Sequence, residues 1–161
     1  EKKEELSKRF VPAFLHQIEE QQQYLLAGDE LRIAKEFGVS AMHQITEGGI
    51  LAALWNLTEA SGTGIDVDLK KIAIKQETIE VCEHFHLNPY QMTSAGSILL
   101  VTHDGEGLVS RLEKNGKKAT VIGRLTDRNE KVIWNDTEKR FIDRPAQDEL
   151  LKIYTGEITA S

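Results

Sequence analysis

The segment from Val39 to Thr58 most narrows the folds open to this chain. A short strand signal, Val39–His43, runs through Gln44-Ile45-Thr46-Glu47-Gly48-Gly49 into Ile50, Leu51, Leu54, Trp55 and Thr58 at helical spacing. A strand that hands over to a helix through a glycine turn is an α/β unit, and the chain goes on alternating. Ser61-Gly62-Thr63-Gly64 ends that helix, and Ile65, Val67 and Leu69 then alternate with Asp66, Asp68 and Lys70 as a half-buried strand does. Glu77–Leu87 predicts a helix with Ile79, Cys82 and His86 on one face, stopped by Asn88-Pro89. Ser97–Thr102 reads as an apolar strand, and the helix after it runs from Asp104 as N-cap to Asn115-Gly116 as C-cap. Ala119–Thr126, Lys131–Trp134 and Arg140–Asp143 read as three strands, with a hairpin through Asn135-Asp136; Ala146–Tyr154 is a closing helix and Thr155–Ser161 a tail.

Ahead of this alternation, Glu1–Gly38 is helical, with Leu6, Phe10, Phe14 and Ile18 forming one stripe. Pro12 either kinks that helix or opens one near Val11, because proline has no N–H to give an interior turn. Gly28-Asp29 breaks the pattern with Asp29 as an N-cap, and Gly38 stops it. The expected class is therefore α/β (α+β), a mixed β-sheet packed with helices.

At 161 residues the chain suits a single domain with a sizeable core. Its 26 acidic against 20 basic side chains give a net charge of −6, the wrong sign for broad contact with nucleic acid or an anionic membrane. Small molecules or proteins are the expected partners. Cys82 is the single cysteine, so no internal disulfide forms, which points to a reducing, cytoplasmic setting. The runs Ile50–Leu54 and Ile98–Val101 are far shorter than the roughly 20 residues of a membrane-spanning helix. A first residue of Glu1, with no methionine, suggests a processed chain or a piece of a larger protein.

The chemistry concentrates at two glycine-bearing junctions. Thr46-Glu47-Gly48-Gly49 follows a strand and opens a helix, where backbone N–H groups can hold a phosphate or carboxylate. The same residues also suit a turn whose glycines permit close helix–sheet packing and whose Thr46 is an N-cap. His43 abuts this turn and can carry a proton or anchor a phosphate, or hydrogen-bond a loop. Thr93-Ser94-Ala95-Gly96-Ser97 offers hydroxyls and open backbone, or is a turn. His84 and His86 are two apart and cannot grip one metal as an i, i+4 pair does; His16 belongs to a charged helix and Cys82 to an apolar face. No metal site is expected, and neither a phosphate loop of the GxxxxGK[ST] type nor a GxGxxG follows a strand.

Met42-His43-Gln44-Ile45-Thr46-Glu47-Gly48-Gly49-Ile50-Leu51-Ala52-Ala53-Leu54 and Glu59-Ala60-Ser61-Gly62-Thr63-Gly64-Ile65 closely resemble the carboxyl-terminal domain of AIR synthase-related proteins, a PurM C-terminal-like fold. Further likenesses are Ile72–Thr78, Leu87–Tyr90, Ser94–Leu99 and Ala119–Thr126. The branch near the hydrogenase maturation factor, which reads His-Asp-Pro-Thr-x-Gly-Gly here, is the most similar. The resemblance implies a fold partly ferredoxin-like and a two-domain parent. In that parent an amino-terminal domain dimerises and supplies most of the ATP-binding and metal-binding carboxylates, and this domain closes over the substrate. Residues 1–30 would be a helical lead-in from that partner domain.

By the same resemblance, ATP and Mg2+ belong to the full-length protein and none to this stretch alone. The reaction type is activation of an amide, formyl or phosphate oxygen, on a small-molecule or carboxamide-type substrate. Thr46, Gly48 and Gly49 match one cleft-facing turn of the family; Ser94, Gly96 and Ser97 match the second; His43 matches the histidine of the maturation-factor motif. Gln44 stands where relatives often carry aspartate, and the chain ends Thr-Gly-Glu-Ile-Thr-Ala-Ser without the cysteine the maturation factor modifies. A ligand-binding or assembly module on the same fold, without catalysis, is the alternative those two departures favour.

Overall fold

The computed structural model describes residues 2–155. The amino-terminal third is helical: α1 (Lys3–Leu6), α2 (Pro12–Glu20) and α3 (Gly28–Phe37). Pro12 is the first residue of α2, where its missing N–H has no helical partner to lose. Gly38 closes α3 in the left-handed conformation, φ +89°, with its N–H on Ala34 O and Lys35 O.

From there helix and strand alternate: β1 (Ala41–Gln44), α4 (Gly49–Ser61), β2 (Gly64–Asp68), α5 (Gln76–His84), β3 (Ile98–Val101), α6 (Gly105–Lys114), β4 (Gly123–Thr126), β5 (Lys131–Asn135), β6 (Glu138–Phe141) and α7 (Leu150–Thr155). A four-stranded sheet has the order β4-β2-β5-β6, with β2 and β5 parallel and the other pairs antiparallel. It is the mixed sheet that the alternation predicts.

β1 and β3 do not join that sheet; they form an antiparallel ribbon of their own, with Ala41 opposite Val101 and Gln44 opposite Ile98. β3 is apolar on both faces, and this explains its place. Leu99 packs with Ile45, Ile50, Leu54, Val67 and Ile133 in the main core, between α4 and the four-stranded sheet. Its neighbour Leu100, on the other face, packs against Ile33 of α3 and Leu108 and Leu112 of α6. A third cluster joins Cys82, Phe85 and Leu87 to Leu6, Met92, Leu150 and Ile153, so the first and last helices meet over α5. Each large apolar side chain so enclosed contributes about 1.5–3 kcal/mol.

Several expected boundaries shift for local reasons. Asp29 is not the N-cap of α3: Ala27 holds that position, and Asp29 lies in the first turn, where its charge favours the helix dipole. α5 stops at His84, and His86 has φ +52°, so His86 leaves the face shared by Ile79 and Cys82. Leu69 turns into a short 3-10 helix, Leu69–Lys71, whose start is capped by Asp68. The β5–β6 hairpin turns on Asp136-Thr137, because Asn135 pairs with Glu138 and Asp136 takes φ +54°. α7 begins at Leu150, four residues later than expected, and includes Thr155; residues 156–161 of the expected tail lie outside the described residues. No helix among the described residues is long and apolar enough to cross a membrane.

Candidate functional site

β1 delivers the first junction. Gly48 and Gly49 both have positive φ, +79° and +68°, and the Gly49 N–H closes the turn on Thr46 O at 3.0 Å. A Cβ at Gly49 would lie 2.5 Å from Tyr90 O and 2.6 Å from Met92 N; one at Gly48 would lie 2.7 Å from the Ala52 Cβ. Both glycines are buried and have packing reasons to be glycine. Thr46 is exposed at the mouth of the turn.

β3 begins at the second junction. Ser97 N donates to Ser94 O at 3.0 Å, and the two serine hydroxyls lie 2.8 Å apart. Gly96, φ +84°, lies against the backbone of Tyr24 and Leu25, which leaves no room for a side chain. Because Gln44 pairs with Ile98 and Ile45 N donates to Ser97 O at 3.0 Å, both junctions leave the same end of the ribbon. Thr46, Ser94 and Ser97 thus belong to neighbouring loops. His43 is placed differently: it is half-buried and sits opposite Leu99, on the ribbon face that meets the main core, whereas Gln44 is on the other face and exposed.

A residue that the sequence reading passed over fastens the junctions together. Asp148, only 5% exposed, accepts the Gly48 N–H at 3.0 Å and the Thr93 N–H at 2.8 Å on Oδ2, and the Leu150 N–H at 2.9 Å on Oδ1. Three segments therefore converge on one carboxylate, the last being the start of α7. Glu149, 6% exposed, does the same next door: Oε2 accepts the Asn88 N–H at 3.1 Å and Oε1 pairs with Lys152 Nζ at 2.5 Å. The Gly48 amide, which the sequence suggested as an anion holder, thus already carries an anion of the chain's own. The hydroxyls of Thr46, Ser94 and Ser97 stand at this end of the ribbon, with Thr46 exposed and the two serines hydrogen-bonded to each other.

Asp148 had one legible signal, an aspartate two residues ahead of the run Leu150-Leu151-Lys152-Ile153, but its partners at Gly48 and Thr93 are 100 and 55 residues away. Cys82 is buried as expected, and burial first, then the nearby Glu149 charge, pushes its thiol up to about 11. A thiol held protonated in that way is a packing group. Among the described residues no three His, Cys, Asp or Glu side chains come together to hold a metal ion.

A mixed sheet backed by α4, beside a two-stranded ribbon that carries both glycine junctions, makes this an α/β domain. The family model "AIR synthase related protein, C-terminal domain" matches residues 5–135, and the chain belongs to that family. Among relatives, a protein assigned to hydrogenase expression and formation in Methanocaldococcus jannaschii is 28% identical over 120 residues, 71% of this chain and 36% of its own. Carbamoyl dehydratase HypE of Rhodobacter capsulatus is 25% identical over 96 residues, 57% of this chain and 28% of its own. Among solved structures, HypE of E. coli, a hydrogenase maturation protein, superposes with a TM-score of 0.68 at 23% identity, over 78% of this chain and 42% of that one. The chain thus spans less than half the length of each of these proteins. Asp148 and Glu149 lie beyond the span that the family model matches.

Proposed function

We propose that this chain is the substrate-side domain of an ATP-dependent, AIR synthase-type enzyme of the HypE-like kind, and that it works only with an amino-terminal domain of the same protein. The match over residues 5–135 carries this reading. In it, ATP and Mg2+ are held mainly by the other domain, and this domain closes the cleft over an amide, formyl or phosphate oxygen. Thr46, Ser94 and Ser97 offer hydroxyls to the substrate, Gly48, Gly49 and Gly96 allow the loops to lie close, and His43 orients the Thr46 turn from the strand behind it. ATP, when bound, supplies a phosphoryl group to the oxygen being activated. The residues of this chain bind, orient and shield.

The reading is tested by calorimetric titration of ATP with magnesium into this chain alone and into the longer natural polypeptide that contains it. Binding is expected only in the longer protein. Tight, magnesium-dependent binding by residues 1–161 alone would overturn the division of labour. The resident Asp148 carboxylate on the Gly48 amide, with Gln44 in place of aspartate, favours a second reading, a non-catalytic ligand-binding or assembly module; it predicts no ATP turnover in either protein.

A further inference from the structure

The outer face of the four-stranded sheet carries a charged groove of about 650 Å3. Val67 and Ile133 point into the main core, so Asp66, Asp68 and Trp134, their strand neighbours, emerge on the opposite face. Register aligns them across the sheet: Arg124 opposite Asp66, Asp68 opposite Trp134, and Trp134 opposite Lys139. With Lys71 and Arg128, the lining has more cations than carboxylates, on a chain whose net charge is −6.

The arginines are held in place. Asp66 Oδ2 lies 3.0 Å from Arg128 Nη2 and 3.5 Å from Arg124 Nη2, and the Asp66 side chain is only 16% exposed. One carboxylate oxygen cannot occupy the five N–H donors of each guanidinium, so most of them remain for another partner. At the rim, Glu130 takes Lys139 at 3.3 Å and reaches Arg128 at 3.7 Å. Trp134 shows 37% of its surface in the same groove, a flat apolar face beside the cations.

We propose that this groove binds a phosphorylated ligand bearing a flat aromatic ring, the nucleoside monophosphate class. Arg124 and Arg128 take the phosphate oxygens, for which a guanidinium fork is shaped, Asp66 fixes the two forks, and the indole of Trp134 stacks on the ring. A volume near 650 Å3 is within the range of pockets that hold small ligands, about 300–1,000 Å3. None of the residues at the two glycine junctions lines the groove, and α4 covers the other face of the sheet, so this site stands apart from the cleft reading.

The test follows 1H–15N spectra of the chain titrated with adenosine monophosphate, adenosine and inorganic phosphate, with Trp134→Phe to assign the two indole signals. Adenosine monophosphate is expected to shift the Trp134 indole and the arginine Nε–H signals saturably, and more tightly than adenosine or phosphate alone. Arg124, with 80% of its side chain exposed, can be removed without disturbing the fold, and Arg124→Ala should weaken binding about tenfold at unchanged melting temperature. Shifts gathered instead at Thr46 and Ser94 would overturn the proposal, as would phosphate binding as tightly as the nucleotide or an Arg124→Ala dissociation constant equal to the parent's.

Discussion

Asp148 and Asp66 are both carboxylates that each gather more than one donor, and they do opposite work. Asp148 is 5% exposed and accepts three backbone N–H groups, from the buried Gly48, from Leu150 and from the exposed Thr93. Asp66 lies in an open groove and meets two side-chain guanidiniums whose alternative partner is solvent. The first arrangement is stability, since a buried carboxylate needs those donors and the buried Gly48 amide needs an acceptor. The second is recognition, since its donors are free to turn to a ligand. Backbone donors on a buried carboxylate and exposed side-chain donors thus give the same residue type two functions in one domain.

The largest effect expected from breaking this contrast is at Asp148. Asp148→Ala leaves the buried Gly48 amide without an acceptor, hands the exposed Thr93 amide back to solvent and uncaps α7, which should cost about 3 kcal/mol in urea unfolding. Asp148→Asn keeps the shape and one acceptor oxygen and should cost about half as much. A loss under about 1 kcal/mol for Asp148→Ala would place the carboxylate among the ordinary surface charges and remove the contrast.

A smaller effect, read by pH, tests the same buried region. The Cys82 thiol titrates at about 11 in the folded chain against a reference value of 9.0, chiefly through burial and then through the Glu149 charge. Folding therefore holds this proton more tightly than the unfolded chain does. The stability it brings is complete below pH 9 and is lost as pH rises to about 11, a fall of roughly 2 kcal/mol. Urea midpoints between pH 8 and 11 measure it, and Cys82→Ser should flatten the profile. Glu149→Gln should flatten it only in part, since the Glu149 charge is the lesser cause.

Three helix ends were legible in this chain because their signals are local. Gly38 and Gly62 stop α3 and α4 in the left-handed conformation, and Asp104 caps α6 by accepting the Gly107 N–H at 2.9 Å, all as the residues suggested. Strand pairing was less legible: an apolar run such as Ile98–Val101 shows burial on both faces but not that its partner is β1 alone. The candidate site divides the same way. Its glycine turns stand out from residue type and spacing, whereas the carboxylate that ties them comes from 100 residues away and shows only a capping signal of its own. His86 illustrates the limit at short range, since the periodicity that carried the helix to Leu87 takes no account of a residue at φ +52°.

The smallest effect belongs to the exposed side of the contrast. Asp66→Asn removes the charge that Arg124 and Arg128 share, at 3.5 Å and 3.0 Å, while the amide oxygen can still accept from one of them. Both guanidiniums are more than half exposed and re-solvate, so the expected loss is under about 1 kcal/mol. Salt gives the diagnostic: at 1 M ionic strength, where the Debye length is about 3 Å, the parent and Asp66→Asn should unfold at the same urea concentration, whereas the Asp148 variants keep their deficit because short hydrogen bonds to a buried carboxylate are scarcely screened. A salt-insensitive loss at Asp66 as large as that at Asp148 would make the groove part of the structural core and remove the contrast between the two carboxylates.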